Sequence, residues 1–369
     1  MESMISKYAQ LLVNYSLELK AKEKLYISTT ILAEPLVREI YRQAVKIGAV
    51  VEVDFAFREQ SRILLNEGSE FALTHAPTLH SRAMEEFDAY LNIRAPYNLN
   101  ETNNINKDSR KIRSKALSHL NTLYFERTAD RSAPGALKRS LCQYPTQASA
   151  QAANMSLEEY EEFVFKACHL FSDNPEGEWL KVRKDQQRIK EYMDGVDTVR
   201  YKADHTDIEF SVAGRTWINS DGQTNMPSGE VFSGPVEDSV NGKVHFTFPS
   251  IYMGQDIRGI TLWVENGEVV KWDAEQGKEV LDHVFEIPGA RYFGEVAIGT
   301  NYNIQRATRN ILFDEKIGGS IHMAVGQSYK QTGGTNSSAI HWDMITDMTE
   351  SGEIYGDGKL IYEKGKFLI

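Results

Sequence analysis

Residues 24–57 carry the pattern that most restricts the fold. Lys24-Leu25-Tyr26-Ile27-Ser28-Thr29 reads as a strand, residues 34–47 as a helix, and Ala49 to Phe57 as a second, Val-rich strand. Pro35 stands in the helix's first turn, where its missing N–H leaves no bond unmade, and Gly48 follows the last turn, where a left-handed cap favours glycine. A strand, helix and strand of these lengths make a right-handed crossover between parallel neighbours. A helical stretch near 78–86 and the strand Ala89–Ile93 continue the alternation. The N-terminal half is therefore expected to be an α/β domain, an open and mostly parallel sheet with helices on both faces. Ahead of it, Ile5, Tyr8, Leu11, Leu12, Tyr15 and Leu19 have helical spacing and predict one helix over 3–20.

The pattern changes near Gly195. Ser156-Leu157-Glu158-Glu159 is a capping box that opens a helix, and a further helix is expected from about Glu178 to Met193. Beyond Asp194-Gly195 the chain becomes β-rich. Ile208-Glu209-Phe210-Ser211-Val212 alternates, and Leu262 to Trp272 is a hairpin signature around Asn266-Gly267, a pair suited to a type I′ turn. With 369 residues, two domains are expected, an α/β domain over 1–195 and a β-rich, α+β domain over 196–369.

A net charge of −11 disfavours nucleic acid as the partner, because phosphate binding needs a clustered basic face. No strand is followed by GxGxxG or GxxxxGK[ST], so nothing supports a nucleotide site. There is no apolar run of membrane-spanning length and no signal-peptide pattern in Met1 to Lys7. The two cysteines, Cys142 and Cys168, form no CxxC pair and point to a reducing compartment. A cytoplasmic location is expected.

The residues that carry chemistry lie between Glu230 and Asp343. In His341-Trp342-Asp343, positions i and i+2 of a strand point the same way and present an imidazole beside a carboxylate, a pair suited to a divalent metal. Glu230 follows Pro227-Ser228-Gly229, and Glu295 follows Gly294 in a stretch of small residues, so the backbone can approach a site closely at both. The Gly-Glu-Val triplet they share also occurs at Gly267-Glu268-Val269, where Glu268 belongs to the hairpin turn. Context therefore separates the glutamates, and the triplet does not. His322 follows Gly318-Gly319 on an apolar strand. His75, His80, His119, His169, His205, His245 and His283 have no comparable setting. Two glutamates, two histidines and an aspartate supply five ligands, enough for two divalent ions if one carboxylate bridges them.

The segments Asn225–Phe232, Gly294–Asn301, Glu315–Gly326 and His341–Met344 resemble the signature blocks of the M29 family of metallo-aminopeptidases, and the likeness extends over essentially the whole chain. That resemblance implies a cocatalytic centre of two divalent ions per subunit (zinc, cobalt, manganese or magnesium) held by Glu230, Glu295, His322, His341 and Asp343. It also implies that Tyr329 lies close to the metals and that Glu315 is an accessory carboxylate. It implies a homodimer acting on peptides with a free N-terminus, removing the first residue by attack of an activated water.

On that reading Glu230 or Glu295 takes the proton from water and returns it to the leaving amine, and Tyr329 donates to the developing oxyanion. Two rivals stay open from sequence. A two-metal hydrolase of another bond, such as a phosphoester, would use Arg291, Arg306, Arg309 or Lys316 against phosphate. A non-catalytic binding protein would hold its metals structurally, although structural zinc sites are usually cysteine-rich.

Overall fold

The computed structural model describes residues 3–252 and 254–369, which pack as two compact units. The first comprises Met1–Glu176 and Gly222–Pro227, the second Gly177–Asp221 and Ser228–Ile369. The sequence placed this change at Gly195. The helix Pro175–Met193 accounts for the difference. It buries Trp179, Gln186, Ile189 and Met193, and Ile189 and Met193 join the core of the second unit.

The first unit is built on a five-stranded parallel sheet in the order Val50–Ala56, Lys24–Thr30, Ala89–Arg94, Lys138–Gln143, Asn225–Met226. The crossover helix Glu34–Ile47 has Pro35 in its first turn and ends on Gly48 at φ 90°, as the sequence predicts. It buries Leu36, Val37, Ile40 and Ala44, while Leu25, Ile27 and Leu91 fill the sheet's interior. Each such side chain contributes about 1.5–3 kcal/mol relative to exposure. The N-terminal helix is not uniform. It is α-helical over Met4–Gln10 and widens to a π-helix over Leu11–Ser16, closed by Leu17 N–H to the Leu12 carbonyl at 2.9 Å. Leu11, Leu12, Val13, Tyr15 and Ser16 are buried in this segment. Ser156 caps the helix Leu157–Ala167, its hydroxyl accepting from Glu159 N–H at 3.1 Å.

The second unit holds two antiparallel sheets. An eight-stranded sheet contains the predicted hairpin, Ile260–Glu265 against Glu268–Asp273. Its turn residues Asn266 and Gly267 have φ of 49° and 83°, as a type I′ turn requires. A five-stranded sheet runs His341–Asp347, Ser320–Gly326, Phe293–Gly299, Glu230–Ser233, Ile218–Ser220. Every residue of Phe293–Gly299 and Ser320–Gly326 is buried, so both faces of these strands are covered. Among the described residues no helix is long and apolar enough to cross a membrane.

Candidate metal centre

Register and pleat place the candidate ligands. In an antiparallel pair, residues opposite one another point to the same side, and side chains alternate along each strand. Asp343 pairs with Ala324, Ala324 with Glu295, Ala297 with His322, Gly326 with His341 and Gly299 with Glu230. All five candidate ligands therefore share one face of the sheet. Val231, Val296, Ile298, Ile321, Met323, Val325, Trp342 and Met344 occupy the opposite face and build the apolar core. Between the ligands this face carries the small residues Ala297, Gly299, Ala324 and Gly326; at both glycines a neighbouring carbonyl, of Ile317 or of Ile340, would lie 2.2 Å from a Cβ. A register irregularity between Phe293 and Glu295, at Gly294, brings Glu295 onto this face. Gly229 sits at φ 121° so close to Asn301 that a Cβ would lie 2.7 Å from that residue's Cβ. Only glycine admits the chain to Glu230 by this path.

Glu295 lies between the two histidines. Its Oε1 is 3.3 Å from His322 Nε2 and its Oε2 is 3.3 Å from His341 Nε2. Glu230 Oε2 is 3.3 Å from His322 Nε2, and Asp343 Oδ1 is 3.4 Å from His341 Nε2. Glu230, Glu295 and His322 thus form one group of potential ligands, and Glu295, His341 and Asp343 a second, each with its atoms within 4.8 Å of one another. The groups share Glu295. Glu315, His322 and Asp343 form a third group on the same criterion. His341 Nδ1 is 2.8 Å from the Gln327 carbonyl and donates to it, which leaves Nε2 as the nitrogen facing the carboxylates.

Lys316 closes the cluster. Its Nζ donates to Glu230 Oε1 at 2.6 Å and also to Glu315 Oε1, and it is almost wholly buried. Burial opposes its charge, but the two carboxylates prevail and raise its pKa. Without metal, burial and the neighbouring Glu230 and Asp343 push Glu315 up to about 7 against the pull of Lys316. Burial likewise opposes charge on the imidazoles, yet their carboxylate partners push His322 up to about 9 and His341 up to about 12. Burial would raise Glu295 and Asp343. The facing imidazoles instead hold Glu295 below the usual range and Asp343 down at about 2.

These residues fit divalent cations. Glu230 Oε2 and Asp343 Oδ1 are buried and make no hydrogen bond. Four carboxylates face one lysine, so with neutral imidazoles three negative charges lie unbalanced in the cluster. One divalent ion would leave one negative charge in the cluster, and two would leave one positive charge. A cavity of about 240 Å³, lined by Tyr252, Ile311 and Trp342 among others, reaches His341 and Asp343.

Tyr329 follows the His322 strand and packs its ring 4.9 Å from the His341 ring and 5.7 Å from Phe232. Burial first, then the surrounding carboxylates, raise its pKa, so the hydroxyl keeps its proton. Sequence reasoning missed two residues. Lys316 was read as a possible phosphate ligand and is instead committed to Glu230 and Glu315. Gln186 was not singled out, although it falls on the apolar stripe of its helix with Trp179, Ile189 and Met193, where a polar residue signals a buried bond.

A family model described as thermophilic metalloprotease (M29) matches residues 1–367. The chain belongs to the M29 family. Aminopeptidase 2 of Geobacillus stearothermophilus is 30% identical to this M29 chain over 407 residues, covering 97% of it and 95% of the relative. Aminopeptidase AmpS of Bacillus subtilis (strain 168) is 32% identical over 251 residues, 58% of this chain and 59% of the relative. The solved structure of wild-type AmpT from Thermus thermophilus has the same fold, with a TM-score of 0.85 over 99% of each chain at 23% identity. The α/β unit followed by a β-rich unit is thus the architecture expected from sequence, shared with that structure.

Proposed function

We propose that this M29 chain is an aminopeptidase whose centre holds two divalent ions, one by Glu230, Glu295 and His322 and the other by Glu295, His341 and Asp343. The observation that carries the reading is the position of Glu295, with one oxygen toward each histidine. Two ions bound there would polarise the scissile carbonyl and lower the pKa of the attacking water. Aminopeptidase names among the relatives, one of them aligned over nearly its full length, support a peptide substrate.

The chain's own residues divide the remaining work. Glu230 gives one oxygen to Lys316 and the other to the ligand face, so it has none left to act as a base. Glu295 is engaged at both oxygens. Glu315, whose Oε1 accepts from Lys316, is the carboxylate left to take a proton from water and return it to the leaving amine. Tyr329, protonated beside His341, donates to the oxyanion. A homodimer belongs to the same proposal and is checked by light scattering.

A phosphoester substrate fits less well. Lys316 is already paired with carboxylates, Arg309 with Asp256 at 3.1 Å and Arg291 with Glu268 at 3.3 Å. A closed, cysteine-rich structural site is also disfavoured, since Cys142 and Cys168 are buried in the other unit. The test is metal analysis of the purified protein, with turnover of leucine-p-nitroanilide and of p-nitrophenyl phosphate before and after chelation. Anilide hydrolysis that disappears with the metal and returns on reloading is expected. Full anilide turnover by demonstrably metal-free protein would sink the proposal.

A further inference from the structure

Gln186 touches no candidate ligand side chain among its described bonds, yet its amide reaches the backbone of Glu230 and of Ser220 beside it. It is 1% exposed and projects from the helix Pro175–Met193. Its Nε2 lies 3.1 Å from the carbonyl of Glu230, 3.0 Å from that of Ser220 and 2.6 Å from Asn219 Oδ1. Its Oε1 accepts from the Thr300 hydroxyl at 2.8 Å. Ser220 pairs with Glu230 across the edge of the sheet, and Thr300 directly follows the Glu295 strand. One side chain thus ties together the edge strand, the residue that carries Glu230 and the end of the strand that carries Glu295.

The edge position makes this tie matter. The strand Ile218–Ser220 is three residues long and ends the sheet, so few ladder bonds hold Glu230 from that side. On the other side Glu230 pairs with Gly299, and Thr300 N–H donates to the Gly229 carbonyl at 2.8 Å. Asn219 is itself fixed, donating to the Arg183 carbonyl at 2.9 Å on the same helix. Among the described residues, Gln186 makes no hydrogen bond to the strand that carries His341 and Asp343.

We infer that Gln186 is a positioning residue for Glu230, and that the helix carrying it sets the affinity of one ion and leaves the other alone. The inference rests on the two-ion reading. Groups that orient a ligand from behind commonly change metal affinity by about 10–100-fold. Loss of the Gln186 amide should weaken the ion held by Glu230, Glu295 and His322 to that extent. The ion held by Glu295, His341 and Asp343 should change by less than about threefold, since its other two ligands stand three strands from Glu230, at the opposite edge of the sheet.

The experiment is a Co²⁺ titration of the metal-free full-length chain, followed by visible absorption, with Zn²⁺ competition for each step. Gln186→Met keeps the volume and removes both polar atoms. Gln186→Glu keeps the acceptor for Thr300 and removes the donor, and it carries the test should the methionine variant fail to fold. The expected result is two binding steps in the unaltered chain, with one of them about 10–100-fold weaker in the variants. Equal weakening of both steps, or unchanged affinities in a folded variant, would overturn the role of Gln186. A single step in the unaltered chain would instead overturn the two-ion reading beneath it.

Discussion

Lys316 Nζ donates to Glu230 Oε1 at 2.6 Å, and both groups are buried. The lysine is therefore a fixed cation inside a site built from carboxylates. Removing one partner of a buried ion pair strands the other and typically costs about 3–5 kcal/mol. Lys316→Met should lose about that much stability in the metal-free state and recover part of it when zinc supplies the missing positive charge. Urea unfolding with and without zinc measures both numbers. Equal destabilisation in the two states would show that the lysine acts through packing.

Proton release should accompany metal uptake. The raised pKa values of His322, about 9, and His341, about 12, mean that both imidazoles are protonated in the metal-free protein at neutral pH. Because these values lie above the unfolded one, the stability they contribute is complete below pH ~6.5 and declines as pH rises through the folded values. A divalent ion must displace those protons, so its apparent affinity should climb between about pH 6 and 9. Calorimetric titration in buffers of different ionisation enthalpy counts the protons. Binding that is independent of pH and releases none would mean that the histidines are neutral before loading.

The two ligand groups share Glu295 and nothing else, and stoichiometry should reveal it. Glu295→Ala should bind neither ion tightly. Asp343→Ala should keep the ion beside Glu230 and His322, and Glu230→Ala the ion beside His341. Metal content after dialysis against a metal buffer of about micromolar free zinc, a level at which intact catalytic sites stay filled, reads these outcomes. One ion retained by Glu295→Ala would remove the shared role. Activity should fall to background in all three.

The legible parts of this chain were those governed by local chemistry. Pro35 and Gly48 bound a helix because each acts on its own backbone position, and Asn266-Gly267 makes its turn for the same reason. The His341-x-Asp343 pair was readable because a strand's period is fixed at two residues. The joint between the units was not. Asp194-Gly195 does end a helix, but which core claims that helix depends on where Ile189 and Met193 find partners, and those are distant in sequence. Nor does local pattern show that Asn225–Met226 returns to the first unit's sheet beside Lys138–Gln143. Lys316 was misread for a related reason. A lysine next to a candidate site looks like an anion ligand until the fold places Glu230 against it.

Glu315 and Tyr329 should separate binding from chemistry. Tyr329 belongs to no ligand group and Glu315 only to the third, with His322 and Asp343, so both variants should keep the ions centred on Glu295 and remain folded. Glu315→Gln keeps the shape and an acceptor for Lys316 but cannot take a proton, and kcat should fall by about 10²–10⁴ with the metal content intact. Tyr329→Phe removes one oxyanion donor while its ring can still pack on His341, and kcat should fall by about 10²–10³ with KM little changed. The pH profile distinguishes them. The acidic limb of kcat should disappear in Glu315→Gln, because the group that must be deprotonated there is gone, and should persist in Tyr329→Phe. Stopped-flow turnover of a leucine anilide across about pH 5–9, the range around neutrality in which a general base is most effective, supplies both profiles. An unchanged acidic limb in Glu315→Gln would return the role of base to Glu230 or Glu295.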